Sequence, residues 1–508
     1  MVATQLRASA VNKLAPMIFS AKRHVSFALL FLVVGGAIGF LGWHGQGEYG
    51  YALLLFGAVL LLARNAAHAF VFALGYYLLL STETPPSLRG FFDYSLAASV
   101  GLWLVHGALN AVAWALPVAA WGILARAVSF PASTPAVLRA PRLSWTARAL
   151  FVLLGGSILS VLEPWASFSW GHPLMVAGQM YPGGHWFALA AVLLIWIALG
   201  AWAQAALDSV GQPRPATRLA RAALLLPLLL PIAILASMLV WRSLDLNQRP
   251  AAEGFAQSVV WHAQHSQFEP GRTPAQLIER SRWVRETTRA ALEDARSLDM
   301  QGLAIVFGEG VVGHHRDSIT FMFASKQPSM DQARALVLLQ ANRFIENNFN
   351  SGAAIGAGDA TIRPIVAHNA LWAYGYSVTP GLVYISRRPV PWASEAYRVL
   401  PNPQGSTLAD LGAFGKAMIA ICYEGFLMEH WLKALIEGAP WRAQRVVAVA
   451  NLWFLRGAAQ HSARAKQELA MRRGAGLLGL PLTFAINAPD GRAKTAPATA
   501  DAIPQGAN

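Results

Sequence analysis

The chain has 508 residues, of which 55% are hydrophobic and only 13% charged. Soluble proteins carry about 25% charged residues, so this composition excludes an ordinary soluble surface, a disordered chain and a collagen-like one, and it points to membrane segments. The formal net charge is +14, and the lone cysteine, Cys422, excludes an internal disulfide.

The charge is unevenly spread. Residues 1–250 hold 15 Lys and Arg against 6 Asp and Glu, whereas residues 251–508 hold 25 against 20. A nearly charge-free half is therefore followed by a half of ordinary globular density, large enough for one sizeable core. Apolar runs fall at 26–43, 50–81, 93–125, 147–163, 184–207 and 220–241. A span needs roughly 20 apolar residues. The runs 50–81 and 93–125 exceed that, so at least one of them is a helical pair.

Lys and Arg in short loops set orientation. The segment 1–24 carries Arg7, Lys13, Lys22 and Arg23; the next basic loops carry Arg126, Arg139, Arg142 and Arg148, then Arg214, Arg218 and Arg221. The segments 44–49 and 164–183 carry no Lys or Arg. Placing the basic loops in the cytoplasm requires an even number of spans before 126, hence one split run and seven helices. The expected architecture is a cytoplasmic segment 1–24, a transmembrane domain 25–245, an outer domain 246–492 and an Ala/Pro/Thr-rich disordered tail 493–508. In a double-membrane bacterium that is an inner-membrane, multi-pass protein with a periplasmic C-terminal domain. The positive charge then has a membrane explanation. Nothing points to nucleic acid, since no basic stretch is interleaved with aromatics and no zinc-ligand spacing occurs.

In the outer domain, alternation predicts strands at 256–261, 303–308, 318–324, 365–372, 382–386, 417–421, 446–450 and 482–487, the last closing on a hairpin at Ala488–Gly491. Helices are predicted at 273–296, 330–347, 425–437 and 459–473. Strands alternating with helices imply α/β layers. Three places carry candidate chemistry. An apolar strand runs into Gly308-Glu309-Gly310, an acid between glycines. Another runs into Cys422-Tyr423-Glu424-Gly425 before a helix, which is the setting of a nucleophile at a sharp strand-to-helix turn. A helix N-terminus there would lower the thiol pKa. The plain alternative is a packed cysteine at a strand end. Between them, Ser386-Arg387-Arg388 with Glu395 beyond offers a cation for an oxyanion, or else an exposed basic loop. No cofactor or metal is implied: His314-His315 occupies adjacent positions that face different ways.

The order acid, basic loop, Cys-Tyr-Glu resembles the carbon–nitrogen hydrolase (nitrilase) superfamily. The phrase Ile421-Cys422-Tyr423-Glu424 behind a multi-span domain is similar to the apolipoprotein N-acyltransferases. Asn369, Asn451-Leu452-Trp453-Phe454, Gln460-His461 and Asp490-Gly491-Arg492 match further family positions. The resemblance implies an α-β-β-α sandwich. It implies Glu309 as general base, Cys422 as nucleophile forming an acyl thioester, and Glu395, Tyr423, Glu424 and Asn369 in supporting places. The partners it implies are a membrane phospholipid as acyl donor and a lipoprotein-like amine as acceptor. Two departures stand against it. The triad lysine is absent, its place falling on Ser386 or Arg387 by different alignments; Arg does not replace Lys freely. No apolar run comparable to the family's closing membrane helix follows residue 250. Three readings result: an acyl-transferring thiol enzyme with Arg387 at the oxyanion; a conjugal-transfer (TraB-type) membrane protein of weakened or lost catalysis, working with a conjugation apparatus; and an amidase or nitrilase on a small C–N substrate.

Overall fold

The computed structural model describes residues 26–44, 47–128, 145–167, 169–210, 236–241, 259–268, 274–298, 302–308, 334–344, 365–375, 381–388, 397–399, 402–452 and 454–488, with a few isolated positions besides. The segments 1–24 and 493–508, the expected strand 318–324 and the closing hairpin beyond Ala488 lie outside the described residues, as do most of the run 220–241, His314 and His315.

Apolar helices make up the N-terminal half. They are α1 (Ser26–His44), α2 (Leu54–Leu62), entered through a 3-10 segment Gly47–Leu53, α3 (Ala66–Leu80), α4 (Thr84–Phe92), α5 (Leu96–Val128), α6 (Trp145–Val161), the short α7 (Val176–Met180) and α8 (His185–Val210). Among the described residues, α1, α5 and α8 are long and apolar enough to cross a membrane; α2 with its lead-in, α3 and α6 are shorter apolar helices. Of the two overlong runs, 50–81 is the broken one. Ala63 turns extended after α2, and Asn65 caps α3 by accepting from the His68 backbone N–H. An Asn side chain at that position satisfies a donor that the new helix would otherwise leave open. The run 93–125 is one helix of 33 residues, with Pro117 inside it.

The helix ends sort into two sides. At one side, Arg148 donates to the Ala63 carbonyl at 2.6 Å, joining the α2–α3 turn to the start of α6. The opposite ends, around 42–44, 80–90 and 163–185, all touch the C-terminal half. Arg64, in the α2–α3 turn, and Arg148, in the first turn of α6, thus lie on the side away from the C-terminal domain.

The C-terminal half holds two mixed sheets. The larger has β1 (Val259–Gln264), β2 (Gly302–Phe307), β3 (Ala335–Phe344), β4 (Ile365–Gly375) and β5 (Gly381–Ile385) in sequence order, with β6 (Tyr397–Val399) beside β4. The smaller runs β10 (Leu482–Asn487), β9 (Arg445–Asn451), β8 (Lys416–Ile421), β7 (Leu408–Asp410), with β10, β9 and β8 mutually parallel. Helix α9 (Pro274–Ser297) covers the outer face of the larger sheet through Val284, Leu292 and Ala295. The inner faces meet through Ala304, Val306, Leu336 and Leu338 on one side and Ile419, Ile421, Val447 and Val449 on the other. The outer face of the smaller sheet, Met418, Ala420, Val446 and Ala448, takes α10 (Met428–Ile436), the one-turn α11 (Ala439–Arg442) and α12 (Gly457–Leu478). Helix, sheet, sheet and helices therefore stack as four layers.

One predicted element is corrected. The helix expected over 330–347 is the strand β3. Residues 335–339 are all buried: Val337 and Leu339 face α9, and Leu336 and Leu338 face the second sheet. A strand buried on both faces is a continuous apolar run, and periodicity does not separate that from a helix.

A single buried cluster continues from the helical half, with Trp43, Phe56, Tyr76, Trp114 and Trp196, into α10, α12 and the smaller sheet. The junction is polar at its centre. Lys466 of α12 is buried against Glu83, which also takes hydrogen bonds from Ser462 and His44, and the ammonium donates to the Leu80 carbonyl at 2.5 Å. Arg473, about two turns further along the helix, donates to Gln179 Oε1 at 3.0 Å and to the Gly42 carbonyl at 2.9 Å, and lies 4.7 Å over the Trp43 ring. Gly178 and Gly476 let the two backbones touch, and a Cβ on either would strike the other segment. Burial opposes both charges of the Lys466–Glu83 pair. At Glu83 the donors from His44, Lys466 and Ser462 outweigh it and bring the carboxyl down to about 2. At Lys466 burial outweighs the carboxylate and brings the ammonium down to about 8. Both are charged at neutral pH.

Removing Lys466 alone leaves a buried carboxylate without its cation, so Lys466→Met is expected to cost about 3–5 kcal/mol, and Lys466→Met with Glu83→Gln to recover most of it. Because the folded carboxyl titrates below its unfolded value, its stabilisation is full above about pH 4.5 and disappears as pH falls toward 2. Thermal unfolding in detergent across pH 2–6 checks this: the gap in Tm between wild type and Glu83→Gln should close over that window.

Candidate active site

The turn after β8 places Cys422. Its backbone φ is +49°, in the left-handed region. A non-glycine residue there costs about 1–3 kcal/mol and persists only where the surroundings over-determine it. Here they do. Glu424, fully buried, folds back so that Oε2 accepts the Ile421 N–H at 2.8 Å. Its Oε1 accepts from the Tyr384 hydroxyl at 2.9 Å and from the backbone N–H groups of Arg387 and Arg388 at 2.5 and 3.2 Å. One carboxylate thus ties the end of β5 to the end of β8 and shapes the turn that carries the thiol. Burial and the nearby carboxylate push the Tyr384 hydroxyl up, and burial pushes Tyr423 up, so both stay protonated donors.

A 3-10 segment, Cys422–Phe426, follows the thiol, and α10 begins only at Met428. The helix expected over 425–437 is present as Met428–Ile436, starting three residues later. The dipole of a full helix does not start at Cys422, because the left-handed residue and the tight turn intervene.

The larger sheet brings its strand ends to the same place. The Gly308 N–H donates to the Gln264 carbonyl, and a Cβ on Gly308 would lie 2.6 Å from the Ile486 carbonyl carbon. Only glycine allows β2 to leave its sheet so close to the end of β10. Ser266, Asn487 and Asn451 form a hydrogen-bonded string across these ends. Glu309 and Glu395 lie outside the described residues. Asn369 is on β4, directly before Ala370, which pairs with Ile385, the neighbour of Ser386. Gln460 donates to the Leu452 carbonyl at 3.3 Å, holding the start of α12 to the end of β9.

Ser386 and Arg387, the two positions that the resemblance sets against its lysine, are both buried, at 1% exposure. The Ser386 hydroxyl has no hydrogen-bond partner among the described residues. Arg387 is committed elsewhere. Its Nη2 donates to Glu429 Oε1 at 2.7 Å and to the Pro403 carbonyl at 2.9 Å, and its Nη1 lies 3.4 Å from both Glu429 Oε2 and His430 Nδ1. His430 Nε2 meets the Ile419 carbonyl at 2.9 Å, so the ring carries its proton on Nε2, and burial lowers its pKa and keeps it neutral. Burial would raise Glu429, but Arg387 overcomes it and holds the carboxyl below its ordinary value. The Arg387 guanidinium is therefore a brace between the β5 loop and α10. An oxyanion would find only its Nε uncommitted.

Sequence reasoning missed the contribution of the loop between α6 and α8. The Tyr423 hydroxyl donates to the Ser167 carbonyl at 2.9 Å. Arg388 pairs with Glu163, Trp170 makes an isolated antiparallel bridge with Leu427, and its ring packs on Phe426 at 4.9 Å and on Tyr423 at 6.4 Å. The residues flanking Cys422 are thus seated on a loop of the apolar-helix half. Only the lack of Lys and Arg in 164–183 hinted at this side, and no local pattern marked Trp170 or Ser167.

A scan against protein-family models and a search of curated proteins each return no match.

Glu424→Gln replaces an acceptor by an amide that must turn a donor toward one of these N–H groups. Leaving a buried donor unsatisfied and losing charge-assisted hydrogen bonds should cost about 2–4 kcal/mol. The expected outcome is a lower Tm and a changed alkylation rate of Cys422 by iodoacetamide, read by intact mass, with Glu437→Gln as a control that leaves the alkylation rate unchanged.

Proposed function

We propose that the chain is a seven-span inner-membrane protein whose outer domain has the carbon–nitrogen hydrolase sandwich and performs acyl transfer at Cys422. The observation that carries this reading is the strained Cys422 turn, built by Glu424 and seated on the α6–α8 loop. A left-handed cysteine held by a dedicated carboxylate favours a reactive position over a packed one. Its seat beside apolar helices favours a substrate delivered by the bilayer over a small soluble amide.

In this mechanism Glu309 takes the Cys422 thiol proton. The thiolate adds to the carbonyl carbon of a phospholipid ester, and the tetrahedral oxyanion collapses with loss of the lysophospholipid alkoxide, which Glu309 protonates. The acyl group remains as a thioester. Glu309 then accepts a proton from an incoming amine, the amine nitrogen adds to the thioester carbonyl, and Cys422 leaves as thiolate, giving an amide. The four-layer order of the C-terminal half and the left-handed turn at Cys422 support the family reading. The position of Arg64 and Arg148 on the side away from the C-terminal domain supports its periplasmic placement.

The commitment of Arg387 to Glu429 and Pro403, with an uncharged Ser386 beside it, favours a second reading. In that reading the fold serves a conjugal-transfer apparatus and the chemistry is weakened.

The experiment is to offer the detergent-purified protein a phospholipid with a radiolabelled acyl chain and no amine. The first reading expects a hydroxylamine-labile label on wild type and none on Cys422→Ser. Absence of label from folded wild type favours the second. A dual reporter fused after residue 492 tests orientation, and the expected signal is periplasmic.

A further inference from the structure

Ile436 and Trp441 are the most exposed large apolar side chains among the described residues, at 75% and 72%, above any on the membrane-type helices. They stand at the two ends of the α10–α11 turn. Gly438 makes that turn with φ +75°, and its carbonyl accepts from the N–H groups of Trp441 and Arg442. The opposite face of the turn is fixed: Leu435, Ala439 and Ala443 are buried in the core shared with the helical half. Two large apolar groups are therefore held outward on a rigid corner.

What lies beside that corner identifies its occupant. The Trp441 ring is 5.2 Å from the ring of His185, the first residue of α8. The next two residues, Trp186 and Phe187, are themselves exposed. Phe187 stacks on Trp241 at 5.0 Å, Tyr181 packs against both rings, and the Trp241 indole N–H donates to the Pro182 carbonyl. Aromatic side chains with one polar edge collect at the level where a helix leaves the hydrocarbon for the headgroups. Trp186, Phe187 and Trp241 form such a belt at the end of α8 that faces the sheet domain, backed by the buried Tyr181, and Trp441 continues it from the other half of the chain.

We infer that the α10–α11 corner is an interfacial anchor. Ile436 and Trp441 enter the headgroup–acyl boundary of the leaflet around the start of α8, and the occupant is the lipid surface itself. This gives the sheet domain a bilayer contact of its own, close to α10, the helix whose Glu429 and His430 hold Arg387. The inference rests on the reading that α8 crosses a membrane, and the test separates the two.

In a Cys422→Ser background, Ile436→Cys, Trp441→Cys, Leu194→Cys and Leu298→Cys are each labelled with an environment-sensitive fluorophore, and the full chain is placed in phosphatidylcholine nanodiscs. Leu194 is exposed near the middle of α8, about 13 Å along the helix from His185. Leu298 is exposed at the end of α9, on the far layer of the sandwich. The expected result is strong quenching of positions 436 and 441 by lipid carrying a shallow 5-doxyl group, with several-fold weaker quenching by aqueous iodide than at position 298. Position 194 should respond best to a deep 16-doxyl lipid. If 194 responds so while 436 and 441 behave like 298, the anchor is overturned and the spanning reading stands. If 194 is quenched by iodide, the spanning reading fails and the anchor with it. The same labels in a Cys422→Ala background guard against a fold disturbed by the serine.

Discussion

A lysine and an arginine from one helix of the sheet domain are buried inside the helical half of the molecule, and each is met there by a designated partner. Lys466 reaches Glu83 and the end of α3; Arg473 reaches Gln179, the Gly42 carbonyl and the Trp43 ring. Buried charges tolerate little misplacement, because the low dielectric that strengthens a good pair also penalises a broken one. The two contacts therefore fix α12 in translation and rotation. The glycine contact between Gly178 and Gly476 fixes its distance.

Once α12 is placed, the smaller sheet beneath it is placed, and with it the end of β8. The Cys422 turn then falls against Ser167 and Trp170. Two carboxylates act locally. Glu424 bends the chain into the left-handed cysteine and anchors the β5 end, and Glu429 draws Arg387 onto α10. The site is thus assembled from both halves of the chain, although most of the residues that the family resemblance names lie in one.

Much of this was legible in the sequence. Strands β2, β4, β5, β8, β9 and β10 stood out as short apolar runs bounded by turn residues, and the Cys-Tyr-Glu phrase marked the turn. β3 was misread because burial on both faces erases alternation. A split in one of the two overlong runs was expected, but which one was left open, because polar residues interrupt both: Arg64 and His68 in 50–81, His106 and Asn110 in 93–125. The docking charges were beyond local reading. Glu83 is one of few acids in the first half, but nothing near it in sequence announces Lys466, which lies 383 positions away. The role of Arg387 was equally hidden, since its partner Glu429 belongs to another element, 42 residues on.

The central claim is that the Cys422 turn is seated on the α6–α8 loop. The bridge between Trp170 and Leu427 reports on it directly, since residues facing across an antiparallel bridge have Cα atoms about 4.5–5.5 Å apart, within disulfide range. The measurement is oxidative cross-linking of Trp170→Cys with Leu427→Cys, in a Cys422→Ser chain cut at an engineered protease site within 242–257 and in native membranes. The account predicts that the two fragments stay joined under mild oxidant and separate on reduction. Fragments that separate without reduction, while each single cysteine remains reactive, would contradict it.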